Sequence, residues 1–279
     1  MRTLIKLFFL AVIWSAVICA TPQASHAQQA TVSLQLFYDQ LSPHGKWARH
    51  PDYGYIWIPR VHATFSPYSS DGHWIFTEEG WTWISDYSWG WAPFHYGRWT
   101  RDNYYGWVWI PDTEWAPAWV SWRRSAGYFG WAPMGPGISV NIAIGKGYNE
   151  PNQHWTFVRD RDIQRPDINR YYINRTQNVS IIKKSTVIVN THVDNSRHVT
   201  YIAGPDKADV QRVTGKPVKP VVIRENNIPG QKVDKNELHI YRPQVQKNNP
   251  NGKPDAPAKV VELKKVKPAA VKKKAIKKD

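Results

Sequence analysis

The sequence predicts a mainly β fold: an antiparallel sheet of tryptophan-rich β-hairpin repeats, then a small β-rich or α+β segment, then a disordered basic tail. Three observations carry this expectation. Fourteen of the sixteen tryptophans lie between Trp47 and Trp131. They recur in a fixed frame with glycine in three segments, GKWARHPDYGYIWIPR from Gly45, GHWIFTEEGWTWISD from Gly72 and GRWTRDNYYGWVWIPD from Gly97. Each segment reads Gly-x-Trp, a polar stretch, then Gly-aromatic-x-Trp-aliphatic. The step is about 25 residues, a length that fits one hairpin and falls short of a free-standing domain. Finally, Trp, Tyr, Ile, Val and Thr fill short runs punctuated by Gly, Pro, Asp and Asn, with no helical period.

The chain divides into four parts. Residues 1–27 read as an export signal: Arg2 and Lys6 are a short basic start, Leu7 to Ile18 is apolar, and Ser25-His26-Ala27 offers small residues at a cleavage site. The apolar run is too short to span a bilayer comfortably, so no transmembrane segment is expected after cleavage near Ala27. Ile18 stands before Cys19 where a lipid-attachment signal needs a small residue. Removal of this one cysteine excludes disulfides and thiol chemistry from the remainder. Residues 28–137 are the repeat domain, 138–225 a smaller β-rich or α+β region, and 226–279 a Lys/Pro-rich tail expected to be disordered. The formal net charge is +15, and ten lysines follow from Lys253 onward against Asp255, Glu262 and Asp279.

Strand alternation sorts the second strand of each repeat into two faces. Tyr55 and Trp57, Trp81 and Trp83, and Trp107 and Trp109 share an aromatic face. Ile56 and Ile58, Thr82 and Ile84, and Val108 and Ile110 lie opposite. A strand apolar on both faces is either covered on both or keeps one for a ligand. Those six aromatic residues are therefore the candidate ligand-stacking face, since ring faces stack on the apolar faces of sugars. The bland alternative is that most of the tryptophans fill a small core that has no disulfides. A second motif, the Trp-Ala-Pro of Trp91 to Pro93, Trp115 to Pro117 and Trp131 to Pro133, reads as joints that end strands or lie on edges.

Beyond the repeats, Trp155 to Val158, Val179 to Ile182, Ser185 to Val189, His198 to Ile202 and Val218 to Ile223 are candidate strands. Lys207 to Thr214 is a candidate helix, opened by Pro205-Asp206 and closed by Gly215.

No catalytic residue, metal site or cofactor is assigned. There is no paired-histidine zinc motif, phosphate loop or nucleophile elbow. His44, His50, His62, His73 and His95 could meet in space, but spacing alone does not make a metal site. Glu78, Glu79, Asp86 and Glu114 could supply the two carboxylates of a glycosidase. Glu78 and Glu79, however, fall in the turn of the second unit, where charge is expected anyway, and Asp86 and Asp112 sit at matching places after strands, as turn residues do.

At Asp71-Gly-His-Trp74, Gly80-Trp-Thr-Trp83, Trp89 to Trp99, Tyr105 to Pro111 and Glu114 to Trp122, the chain resembles a family of exported bacterial proteins. These carry tryptophan-rich Tyr-x-Trp-Gly-x-Trp-type repeats, a domain of unknown function. The resemblance spans roughly residues 36–225 and implies a Gram-negative periplasmic, outer-envelope or secreted setting. It brings no activity with it.

The expectation is a non-enzymatic envelope protein, a structural or interaction module. The alternative is a glycan- or peptidoglycan-binding module, and a hydrolase comes third. Cell-wall glycan or another envelope protein are the candidate partners, with an anionic envelope surface for the basic tail. Nucleic acid is not expected, because the lysines cluster away from the aromatic residues.

Overall fold

Each glycine-framed repeat folds as an antiparallel hairpin, and the backbone explains the frame. The computed structural model describes residues 31–247 and 252–267; the export signal lies outside them. The hairpins are β2 (Gly45–His50) with β3 (Gly54–Pro59), β4 (Gly72–Thr77) with β5 (Gly80–Ser85), and β6 (Arg98–Asp102) with β7 (Gly106–Ile110). The two tryptophans of each frame face one another across the ladder: Trp47 and Trp57, Trp74 and Trp83, Trp99 and Trp109.

The first glycine is the floor beneath the second tryptophan. A Cβ built on Gly45 would lie 2.4 Å from Nε1 of Trp57, and one on Gly97 2.8 Å from Nε1 of Trp109. The second glycine makes the turn, with φ of 72° at Gly54 and 79° at Gly106, where a side chain is strained.

A fourth hairpin, β8 (Val120–Ser125) with β9 (Tyr128–Pro133), keeps the turn glycine Gly127 and the facing pair Trp122 and Trp131. It begins Val120-Ser-Trp122, without the first glycine of the frame, so only its Trp-Ala-Pro ending stands out in the sequence. That ending closes β9, as expected of proline at the end of a ladder.

The hairpins do not join into one sheet. β2-β3 and β6-β7 meet at Trp57 and Trp109 and share a five-stranded sheet of order β18-β2-β3-β7-β6, where β18 is Val260–Val261. β4-β5 stands as its own pair. β8-β9 is extended by β10 (Thr156–Arg159) and β11 (Thr186–Val187), giving the order β10-β9-β8-β11. The fold is thus mainly β with several sheets, and residues 138–225 extend the repeat domain instead of standing apart. Thr31 onward clusters as one compact unit.

Two further expectations are corrected. Val179 to Ile182 is part of a helix, Asn178–Lys183, with Ile181 buried and Val179 exposed. Four apolar-rich residues do not distinguish strand from buried helix. The tail from residue 226 is ordered over most of its described length. β14 (Val222–Glu225), β15 (Gln231–Asp234) and β16 (Glu237–Ile240) form a three-stranded sheet, while β17 (Gln244–Gln246) pairs with β1 (Thr31–Ser33). Leu238 and Ile240 alternate with Glu237 and His239 and are fully buried, a strand signature that the average composition concealed. The helix Lys207–Thr214 forms as expected, with Asp206 capping Ala208 and Asp209 and Gly215 left-handed at its end.

The core is aromatic. Every tryptophan but Trp14, which lies outside the described residues, is buried. Many of their indole N–H groups find carbonyls in the connections, while those of Trp74, Trp83 and Trp115 are buried without a hydrogen-bond partner. Trp47 and Trp57 donate to Tyr38 and Leu41 of the helix Gln35–Leu41, at 3.1 and 3.0 Å. The joint that follows Trp91 supplies Pro93 to Trp99, Tyr96 to Trp109 and His95 to Trp119, at 2.8, 2.8 and 3.0 Å. This joint is therefore an acceptor shelf for a core that must satisfy many ring N–H groups.

Candidate functional site

The predicted stacking face is closed. Trp57, Trp81, Trp83 and Trp109 are at most 1% exposed and Trp107 is 6% exposed. Trp57 packs edge-on to Trp89, Trp83 edge-on to Trp74, and Trp109 edge-on to Phe37. Trp81 lies under the Ala203-Gly204-Pro205 turn and donates to Pro205 O at 2.9 Å. Trp107 is covered by His154, with ring centres 4.8 Å apart. Tyr55 is half-buried beside Tyr38. A ring without accessible area cannot stack on a sugar, so the five tryptophans are corrected from a ligand face to core, and Tyr55 packs against that core at its partly exposed edge. The helix, turns and strand that cover them come from other parts of the chain, which alternation within a strand does not reveal.

Of the five histidines of the repeat region, His50 and His62 bond locally and His95 is tied to distant segments. His50 contacts Asp52 and stacks on Tyr53, and His62 bonds Thr64. His95 is wholly buried, its Nδ1 3.1 Å from Ala116 O, its Nε2 3.1 Å from the Gln231 side-chain amide, and its ring stacked on Trp115. Burial pushes its pKa down to about 4, so it sits there as neutral imidazole. Among the described residues no group of three His, Cys, Asp or Glu could hold a metal.

Two polar clusters were missed by the sequence reading. In the first, the hydroxyl of Tyr201 donates to Glu79 at 2.5 Å, while Arg242 binds Glu79 at 3.1 Å and Glu225 at 2.5 Å. Arg197 reaches the same Glu225 at 3.5 Å, and Arg242 stands over the Trp115 ring at 4.9 Å. Burial first, then Glu79, pushes the Tyr201 phenol well above its ordinary range. Glu79, expected to be a simple turn charge, thus ties the second hairpin to residues 201 and 242. The cluster borders a groove of about 240 Å³ lined by Glu114, Trp115, Arg197, His198 and the Pro243 to Gln246 strand. Each charge in it is paired, which makes it a clamp between segments.

In the second cluster, His154 Nδ1 lies 2.5 Å from Glu150 Oε1, and Tyr148 donates to Glu150 Oε2 at 3.0 Å. A carboxylate that orients an imidazole is half of an acid–base device. Among the described residues no hydroxyl bonds the other ring nitrogen, so the nucleophile of a triad is not assembled. The first cluster is not legible in sequence, because Glu79, Tyr201 and Arg242 are brought together only by the fold. The Glu150 to His154 spacing is a local signal that could have been read.

No curated protein and no solved structure matches the chain. Residues 38–138, which run from the helix Gln35–Leu41 through all four hairpins, match the model of a family of unknown function (DUF6600).

Proposed function

We propose that this chain is a non-enzymatic, exported cell-envelope protein, a rigid β scaffold that acts through its surface contacts. The observation that carries this reading is the use of the tryptophans. The rings that the repeats set in register are spent on a shared core, each placed over a glycine or against another ring. An exported chain whose one cysteine, Cys19, leaves with the signal needs such burial in place of disulfides. The basic, apolar and small-residue succession of residues 1–27 supports export.

The test begins with expression in a Gram-negative host, fractionation, and N-terminal sequencing of the product. A periplasmic or outer-envelope protein that starts near Gln28 is expected. An uncleaved cytoplasmic product would sink the export reading. Incubation of the purified protein with peptidoglycan, neutral polysaccharides and ester substrates should release no product. Turnover abolished by Glu150→Gln would replace the scaffold reading with an enzymatic one.

A further inference from the structure

The aliphatic face of the five-stranded sheet carries a feature that the aromatic face lacks. Ala48, Ile56, Ile58 and Val108 form a second, separate apolar cluster, closed by a strap from the C-terminal part of the chain. β18 runs parallel to β2, with Val260 beside Trp47 and Val261 beside Ala48. Leu263 and Val266 then pack on the cluster, Val266 at 3% exposure, and the Tyr105 hydroxyl donates to Leu263 O at 2.7 Å. The strap therefore holds its lysines in place. Lys264 and Lys265 lie between the two inward apolar residues, Lys267 follows, and all three are exposed.

The parallel register adds another pair. Lys259 and Lys46 each precede a partnered residue, so they project side by side on the cluster's side of the sheet, both exposed. Like charges placed so on neighbouring strands are destabilising. Among the described residues only Lys265 of these five has an ion-pair partner, Glu262 at 2.9 Å. The fold thus pins a group of ammonium charges to one face and leaves most of them uncompensated.

We infer that this strapped face, with Lys46, Lys259, Lys264, Lys265 and Lys267, docks on an anionic lipid surface through phosphate-bearing headgroups. The inference rests on the envelope reading above. Lysine is a compact point charge suited to phosphate, and each one near such a surface contributes about 1 kcal/mol. Tyr104, 55% exposed and packed edge-on to Tyr105 at the rim of the cluster, adds an amphipathic ring of the kind favoured at membrane interfaces. From Lys267 the sequence continues into Lys272, Lys273, Lys274, Lys277 and Lys278, which would add to the same charge.

The experiment is co-sedimentation of the full processed chain with phosphatidylcholine vesicles, with and without phosphatidylglycerol. Binding only to the anionic vesicles, weakened by salt, is expected. In the full chain, Lys46→Glu with Lys259→Glu should weaken binding at least about thirtyfold. Both positions are exposed, and an unchanged melting curve would confirm the fold. Replacing the five later lysines with glutamine should leave measurable binding.

Equal binding to neutral and anionic vesicles overturns the proposal. So does unchanged binding by the Lys46/Lys259 variant, which would assign attachment to the later lysines alone. Binding to soluble acidic polysaccharide but not to vesicles overturns it as well. A cytoplasmic precursor would defeat the envelope reading while leaving the vesicle measurement interpretable.

Discussion

The two faces of the β18-β2-β3-β7-β6 sheet are both apolar and both covered, yet they are closed by different means. On the aromatic side, Trp47, Trp57, Trp99 and Trp109 meet a helix and a joint that offer carbonyls to each indole. On the aliphatic side, a few small residues meet Leu263 and Val266, held chiefly by one short ladder and one tyrosine bond. The first closure is large, polar-satisfied and continuous with the main core. The second is small and comes from near the end of the chain. Similar hydrophobicity on two sides of a strand thus conceals very different stability, which can be ranked by mutation.

The aromatic side should yield the largest effects. Trp57→Ala removes a fully buried ring and leaves Leu41 O without its donor, at a cost of about 3–5 kcal/mol. Urea denaturation would read this as a lower midpoint, and a loss under 1 kcal/mol (about the worth of an ordinary surface change) would contradict the assignment of the ring to the core.

His95 lies in the cover of the same side and makes that cover acid-sensitive. Its folded pKa is near 4 against about 6.5 when unfolded, so the unfolded chain binds the proton first as pH falls. The associated stability is fully present above pH 6.5 and is lost between there and about 4, on the order of 3 kcal/mol. His95→Gln should flatten that part of the pH–stability curve. Hydrogen exchange at acid pH should rise in residues 91–119 before it rises around β18, and the reverse order would break the contrast between the faces.

The glycine frame separates two kinds of smaller loss. Gly45→Ala places a methyl against the Trp57 ring and the Ile58 carbonyl, for about 1–3 kcal/mol. Gly54→Ala meets nothing within 4 Å and suffers only its φ of 72°, about 1–2 kcal/mol. Equal effects of ring clash and turn strain would leave the first glycine of the frame unexplained.

The sequence made the hairpins legible because their determinants are local: a glycine that must turn, a tryptophan opposite a tryptophan, and alternation between. The helix Lys207–Thr214 was legible for the same reason, through Asp206 and Gly215. What covers a face is nonlocal, so Trp57 and Trp109 read equally well as binding surface and as core. Leu238, Ile240 and Val266 were lost in a stretch whose average composition is polar, although each is buried in the fold. Glu79 read as turn charge because its partners Tyr201 and Arg242 are far along the chain.

The aliphatic closure should give the smallest effects, and these also test whether the strap is a seal or a loose end. Val266→Ala removes about two buried methylene equivalents, about 1.5 kcal/mol. Tyr105→Phe deletes the bond to Leu263 O while keeping the ring, for about 0.5–1.5 kcal/mol. Because Tyr105 and Leu263 both touch the cluster that Val266 fills, the two changes should couple: once Val266→Ala has loosened the strap, Tyr105→Phe has less left to lose. A double-mutant cycle by urea denaturation should therefore return a combined loss smaller than the sum. Strict additivity would mean that the tyrosine bond and the valine hold the strap independently, and that the face is sealed at two separate points.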